Sequence, residues 1–323
     1  MRHLHVAETR GVYTATLRNT TPPVPRSGEV LVRVAASGLN RADLSQIAGR
    51  YPPPPGESEI LGMEVSGVVE STGARVCALL AGGGHAEQVA VPAGHFLLVP
   101  AGMDLVSAAG IPEAFLTAFV NLVVEAGLKA GDTVLIHAGA SGVGLAAIQV
   151  AKHLGARVAA TTRTAAKLAA LTGAGADLAV LSEGKRLAAE LEQAWGPGAV
   201  DIVLDPVGSA TLGPNLQGLA VGGRVIVIST LSGSKAELDL ELLMKRRARL
   251  IGSTLRSRSR EEKARLVTRF REELLPAFAS GALRVIVDAV FPPERAAEAF
   301  QRMRENRNVG KLLLDWGSPL GPA

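Results

Sequence analysis

Apolar residues in the first third of the chain fall in short β-type runs broken by Gly and Pro. Val30–Val34 and Val65–Val69 predict strands, and Glu87–Val91 predicts another, ended by Pro92. Such a succession points to a twisted, barrel-like β unit. Near Ala108 the pattern changes. Ala114–Ala126 predicts a helix, with Gly127 and Gly131 following it. From Asp132 to about Ser253 apolar strands alternate with helical segments. Strands are predicted at Thr133–His137, Arg157–Thr161, Leu178–Leu181, Val200–Asp205, Arg224–Ser229 and Arg249–Ser253. Helices are predicted to begin near Gly142, Ala165, Lys185, Ser209 and Glu237. Short apolar strands separated by helices imply a parallel sheet covered on both faces, an α/β fold. The C-terminal part predicts a long helix, Arg260–Ala279, a strand, Arg284–Phe291, a helix, Pro293–Arg304, and a last strand, Lys311–Leu314. Pro52–Pro55 reads as a rigid extended turn.

Composition narrows this picture. A chain of 323 residues holds two domains or one large one. Hydrophobic residues at 47% support a large core, and aromatics at 3% leave that core to Ala, Val, Leu and Ile. The net charge of +4 permits an anionic ligand without requiring a nucleic acid. The run Lys245-Arg246-Arg247-Ala248-Arg249 reads more simply as a solvated helix end than as a nucleic-acid patch. A single cysteine, Cys77, leaves no internal disulfide framework and no Cys-rich zinc lobe, so a reducing cytosol is the expected setting. No signal-type apolar core opens the chain, no run of ~18 apolar residues suggests a spanning helix, and the tail Gly317–Ala323 is expected to fray.

A local signal with chemical content follows the first strand of the alternating region. Thr133-Val134-Leu135-Ile136-His137 leads into Ala138-Gly139-Ala140-Ser141-Gly142-Val143-Gly144, and then Leu145–Leu154 is apolar at helical spacing. Strand, Gly-rich turn and helix come in the order a dinucleotide fold requires. Glycine lets the backbone approach a pyrophosphate, and the helix N-terminus meets its charge with unpaired N–H groups. Read as G-x-G-x-x-G, the positions are Gly139, Ser141 and Gly144, with Ser in the middle. An ordinary strand–turn–helix corner is the competing reading. The next strand decides the cofactor. An NAD site places Asp or Glu at its end, ~20 residues on, for the ribose 2′-hydroxyl. Here Thr161-Thr162-Arg163-Thr164-Ala165-Ala166-Lys167 holds no acid and two cations. Arg163 and Lys167 attract a 2′-phosphate that a carboxylate would repel, which favours NADPH. The plain alternative, cations solvating a helix start, runs against the helix dipole.

Together these residues resemble the medium-chain dehydrogenase/reductase superfamily, and within it the zeta-crystallin-like quinone oxidoreductases. SGLNRADL (Ser37–Leu44), GRYPPPPG (Gly49–Gly56), ILGMEVSGVV (Ile60–Val69), GGGHAEQVAVP (Gly82–Pro92), IHAGASGVGLAAIQ (Ile136–Gln149), GSTLRSRS (Gly252–Ser259) and NVGKLLL (Asn308–Leu314) carry the likeness. YPPPPG with GSTLRSRS is most similar to the stress-inducible branch of that family. The resemblance implies a GroES-like catalytic domain at 1–118 and 263–323, a Rossmann coenzyme domain at 119–262 and a cleft between them. It also implies a homodimer built by pairing edge strands of the coenzyme domains.

The zinc relatives place Cys where this chain has Asn40 and His where it has Met63. A carboxamide and a thioether are poor substitutes for a thiolate and an imidazole at catalytic zinc, so no metal is expected. His85 and His95 read as ordinary loop or strand histidines. Without a Lewis acid, alcohol oxidation loses its means of making an alkoxide, whereas hydride transfer to a conjugated acceptor remains accessible. By family position Asn40 and Tyr51 border the substrate and the nicotinamide, and either can donate to an acceptor carbonyl. A turn residue and a ring packed on proline are the respective alternatives. The resemblance further assigns cofactor contacts to the loop Gly139, Ala140, Ser141, Gly142 and Val143, and to Thr117, Thr162, Arg163, Lys167, Ser229, Thr230, Leu231, Thr254, Leu255, Arg256, Asn308 and Lys311. Ser182 stands near where relatives carry a Tyr beside the 2′-phosphate. The expected function is NADPH-dependent reduction of a quinone. An enone or alkenal reductase is the alternative, and a non-catalytic NADPH-binding or RNA-binding protein is the rival of another class.

Overall fold

The computed structural model describes residues 1–182 and 186–317. The predicted helix start at Lys185 and the tail from Ser318 lie outside the described residues. Two compact units emerge. One comprises Met1–Leu116 with the chain from Leu255 onward, the other Thr117–Thr254.

The first unit opens with a hairpin absent from the sequence reading, β1 (Arg2–Thr9) and β2 (Val12–Asn19), paired antiparallel with Thr9 opposite Val12. Only Leu4 and Val6 of β1 are buried, so its apolar signal is thin. The turn places Arg10 and Gly11 at φ 48° and 86°, the positive pair a two-residue hairpin requires. Five strands follow: β3 (Glu29–Gly38), β4 (Glu64–Val69), β5 (Arg75–Leu79), β6 (Gln88–Pro92) and β7 (Phe96–Leu98). β3 pairs antiparallel with both β4 and β6. All six residues of β4 are buried.

Pro112, which has no N–H to leave unpaired, opens a helix that runs to Phe119. The predicted continuation to Ala126 is a π-helix instead, Val120–Glu125. There the Ala126 N–H bonds back five residues to the Asn121 carbonyl, and the Asn121 side chain takes the Thr117 carbonyl at 2.7 Å.

The second unit is a six-stranded sheet of β8 (Thr133–Ile136), β9 (Arg157–Thr162), β10 (Leu178–Leu181), β11 (Val200–Asp205), β12 (Leu219–Val227) and β13 (Arg249–Gly252). Its order is β10-β9-β8-β11-β12-β13, parallel throughout. This is the doubly wound order, with its crossover reversal between β8 and β11, where ligands bind outside the strand ends. β12 starts at Leu219 rather than the predicted Arg224. The predicted helices near Ser209 and Glu237 begin at Leu212 and Leu240, the second capped by Asp239.

Past Leu255 the chain rejoins the first unit. The long predicted helix is divided, Arg260–Glu273 and Pro276–Ala279, because Pro276 cannot donate within a helix and crowds the preceding turn. Then come β14 (Val287–Phe291), a 3-10 turn at Pro293–Arg295, a helix at Ala296–Arg304, and β15 (Lys311–Asp315). β14 lies parallel to β15, which pairs antiparallel with β3, Leu313 opposite Gly38. Leu4, Val6, Leu39, Phe300, Leu312 and Leu314 share one core, so both ends of the chain bury the same apolar surface. Each large side chain there contributes about 1.5–3 kcal/mol.

Candidate active site

In the first unit a polar cluster forms where β3, β4 and β15 meet. Asn40 follows β3 and caps the helix Arg41–Ile47, its N–H donating to Asp43 Oδ2 at 2.7 Å. Its carboxamide is fully engaged. Nδ2 donates to Glu64 Oε1 at 3.0 Å and to the Gly38 carbonyl at 3.3 Å, and Oδ1 accepts from Lys311 Nζ at 2.8 Å. Lys311 Nζ also reaches Glu64 Oε1 at 2.5 Å and the Leu39 carbonyl at 2.8 Å. Glu64 Oε2 accepts from the Glu113 N–H at 2.8 Å. Glycine at position 38 makes room for this carboxylate, since a Cβ there would come within 2.2 Å of Glu64 Oε1.

The Asn40 donors thus bond within the chain, to Glu64 and the Gly38 carbonyl. The Lys311 ammonium has three N–H groups and three internal acceptors, which makes it a buried strut of this cluster. It stands beside Asn40 and Glu64, next to the positions where zinc relatives carry their ligands. Among the described residues no group of three or more His, Cys, Asp and Glu side chains is arranged to share a metal ion.

Tyr51 is half-buried, with the Arg256 guanidinium 5.2 Å from its ring centre. Arg256 is buried and donates to the carbonyls of Ala81 (2.7 Å) and Tyr51 (3.1 Å) and to Gln46 Oε1 (2.7 Å). Its own carbonyl accepts from Lys263 Nζ. Sequence reading expects backbone groups of Thr254–Arg256 at the nicotinamide; the Arg256 side chain in addition fixes the loop that carries Tyr51. Burial raises the Tyr51 phenol above its usual range, and Glu113 adds to this, so the group is a neutral donor at physiological pH. Leu255 is buried, Thr254 exposed, and Asn308 turns back to the Gly310 carbonyl at 2.8 Å. His85 is fully buried against Ser37, and His95 bonds the Arg260 carbonyl.

In the second unit the Gly-rich turn leaves β8 through Ala138, at φ 50°. The Gly139 N–H bonds the Thr161 carbonyl at 2.7 Å, and Ser141 caps the helix Gly142–His153 by accepting from the Gly144 N–H at 3.0 Å. A Cβ on Gly144 would lie 2.5 Å from the Ala138 carbonyl oxygen, so only glycine permits this close turn. Gly142 and Val143 open the helix, where N–H groups have no intrahelical acceptor and suit an anionic phosphate. The chain leaving β9 carries Thr162, Arg163 and Lys167, and Ser182 follows β10. Thr162 is buried with Oγ1 accepting from the Thr164 N–H, Arg163 is exposed, Lys167 ends a 3-10 turn, and the Ser182 N–H bonds the Thr162 carbonyl at 2.8 Å. Ser229, Thr230 and Leu231 form an exposed loop after β12, held by the Leu231 N–H on the Pro206 carbonyl.

Sequence reading missed a buried network beneath that turn. His137 Nε2 lies 2.7 Å from Asn215 Oδ1, and Nδ1 lies 3.0 Å from Thr161 Oγ1. Asn215 Nδ2 and Thr211 Oγ1 donate to Asp205 Oδ2, while Asp205 Oδ1 accepts the Val207 and Gly208 N–H groups. Because Asn215 spends its NH2 on Asp205, its oxygen takes the His137 Nε2 proton. Burial lowers the His137 pKa and keeps the ring neutral. The ends of β8, β9 and β11 are thereby locked at the reversal point of the sheet.

Comparison with known proteins gives this arrangement a lineage. The GroES-like domain model of alcohol dehydrogenases matches residues 26–83, and the zinc-binding dehydrogenase model matches residues 142–272. The quinone oxidoreductase of Thermus thermophilus, solved also in complex with NADPH, is 34% identical with a TM-score of 0.82, covering 98% of this chain and all of that one. Human quinone oxidoreductase is 28% identical over 97% of both chains. The rat synaptic vesicle membrane protein VAT-1 homolog is 31% identical over 92% of this chain and 79% of its own length. The expected pairing of a GroES-like β unit with a Rossmann sheet is thus met, and the chain belongs to the zinc-independent medium-chain dehydrogenase/reductase superfamily, in its zeta-crystallin-like quinone-oxidoreductase branch.

Proposed function

We propose that the protein is an NADPH:quinone oxidoreductase that works without a metal. The observation that carries this reading is the end of β9, where the stretch 160–167 holds Arg163 and Lys167 and no acid, next to a turn that only glycine allows. The first-turn N–H groups of Gly142 and Val143 would take the pyrophosphate, and Arg163 and Lys167 the 2′-phosphate. Ser229–Leu231 and Thr254 would border the nicotinamide with backbone groups, and Thr117 its ribose. NADPH supplies the hydride. Tyr51, a neutral phenol on a loop held by Arg256, orients the acceptor and donates to the oxygen on which charge develops. Asn40 and Lys311 hold Glu64, and with it the floor beneath that acceptor.

The chain acts as a homodimer in this reading. β13 is an edge of the parallel sheet and exposes Leu250, which favours pairing with a second copy. Among the described residues no helix is long and apolar enough to cross a membrane. The single buried Cys77 suits the cytoplasm, and scarce aromatics disfavour RNA as a partner. Steady-state oxidation of NADPH against a panel of quinones and enones tests the function. Turnover with quinones is expected. Turnover confined to enones transfers the protein to the alternative reductase class, and binding of NADPH without turnover on any acceptor refutes the catalytic reading.

A further inference from the structure

Glu113 occupies the first turn of the helix Pro112–Phe119, tied by its own N–H to Glu64 Oε2. Two carboxyl groups are thus brought to one place with unequal support. Glu64 is wholly buried, and its oxygens are filled by Lys311, Asn40 and that N–H. The half-buried Glu113 carboxyl is in electrostatic reach of Glu64, Asp43, Lys311, Arg256 and the Tyr51 phenol. Both cations are committed elsewhere: Lys311 to Glu64, Asn40 and the Leu39 carbonyl, Arg256 to Ala81, Tyr51 and Gln46. A carboxyl placed beside a second, already ionised one keeps its proton.

We propose that Glu113 is the proton donor of the reduction, a carboxylic acid beside Tyr51 that protonates the acceptor oxygen as the hydride arrives. This rests on the reductase reading above. Burial, reinforced by the Glu64 carboxylate, pushes Glu113 up to about 8, against the opposing pull of Lys311 and Arg256. The acid form therefore prevails at neutral pH. Hydride transfer carries two electrons to the acceptor, oxidises NADPH to NADP+ and leaves negative charge on the acceptor oxygen. The Glu113 O–H bond breaks, an O–H bond on the acceptor forms, and the Glu113 carboxylate recovers a proton from water at its exposed edge. The sum is NADPH, one proton and a quinone giving NADP+ and a hydroquinone. The carboxyl is suited equally to an enone, whose reduced form needs its proton more urgently than a hydroquinone anion does.

The test compares wild type, Glu113→Gln and Glu113→Asp, following kcat/KM from pH 6 to 10 with a quinone and with an enone. NADPH fluorescence titration checks that each variant retains its cofactor site. Wild-type kcat/KM is expected to fall as pH rises through about 8. Glu113→Gln should lack that fall and run ~100-fold or more below wild type at pH 7, with the greater loss on the enone and NADPH binding unchanged. Glu113→Asp should restore part of the rate with a displaced pH break. An active wild type whose Gln variant keeps both rate and pH profile overturns the proposal alone. A wild type that binds NADPH yet reduces no acceptor overturns the reductase reading and the proposal with it. If the Gln variant fails to bind NADPH, the Asp variant decides, and an unmoved pH break there overturns the proposal.

Discussion

Lys311 Nζ lies 2.5 Å from Glu64 Oε1, with both side chains withdrawn from water. A buried pair of this kind is worth little against an apolar replacement of both partners, yet breaking it leaves an uncompensated charge. Lys311→Met should therefore cost about 3–5 kcal/mol, read as a lower denaturant midpoint with little change in slope. Adding Glu64→Gln to that variant should recover much of the loss. A single Lys311→Met protein as stable as wild type would refute the strut.

Cofactor choice is tested at the end of β9. Lys167→Ala removes a charge-assisted contact worth about 1.5–3 kcal/mol, so the apparent constant for NADPH should rise by an order of magnitude or more. The constant for NADH should barely move. Equal weakening of both cofactors counts against a 2′-phosphate site.

Tyr51 separates hydrogen bonding from stacking. Tyr51→Phe removes only the hydroxyl and should lower kcat/KM by roughly 10-fold, the equivalent of one modest hydrogen bond. Tyr51→Ala also removes the ring under Arg256 and should lose more. NADPH binding should change little in either variant. Full activity of both on every quinone and enone would make Tyr51 a structural residue.

Metal content follows from Asn40 and Met63. Purified protein should contain no stoichiometric zinc, and turnover should survive a strong chelator. One zinc per chain by elemental analysis would contradict the reading of these two positions.

The parallel sheet and its phosphate turn were legible in the sequence because their signals are local: apolar strands, a glycine that nothing else can replace, and a helix at once after it. The β1–β2 hairpin was not, since its exposed faces carry His, Arg and Thr and dilute the alternation. Asn40, Lys311 and Arg256 stand out in the sequence as candidates, but where each side chain goes depends on partners far along the chain. Glu113 was overlooked for a different reason. An acid in the first turn of a Pro-opened helix is already explained by the helix dipole, and only its proximity to Glu64 shows that the dipole is not its whole environment.

The pairing of β15 with β3 has a consequence for synthesis. Trp316 bonds Ser37 across 279 residues of chain, so β3, which leads into Asn40, lacks its β15 neighbour until that whole stretch has been made. The segment Thr117–Thr254, whose strands are consecutive, can assemble on the ribosome first. Meanwhile β3 waits with an open edge, and Glu64 waits without its ammonium partner. A ribosome stalled before Lys311 would present a finished parallel sheet attached to an incomplete antiparallel one. That half-made product is a natural client for chaperones that shield exposed strands.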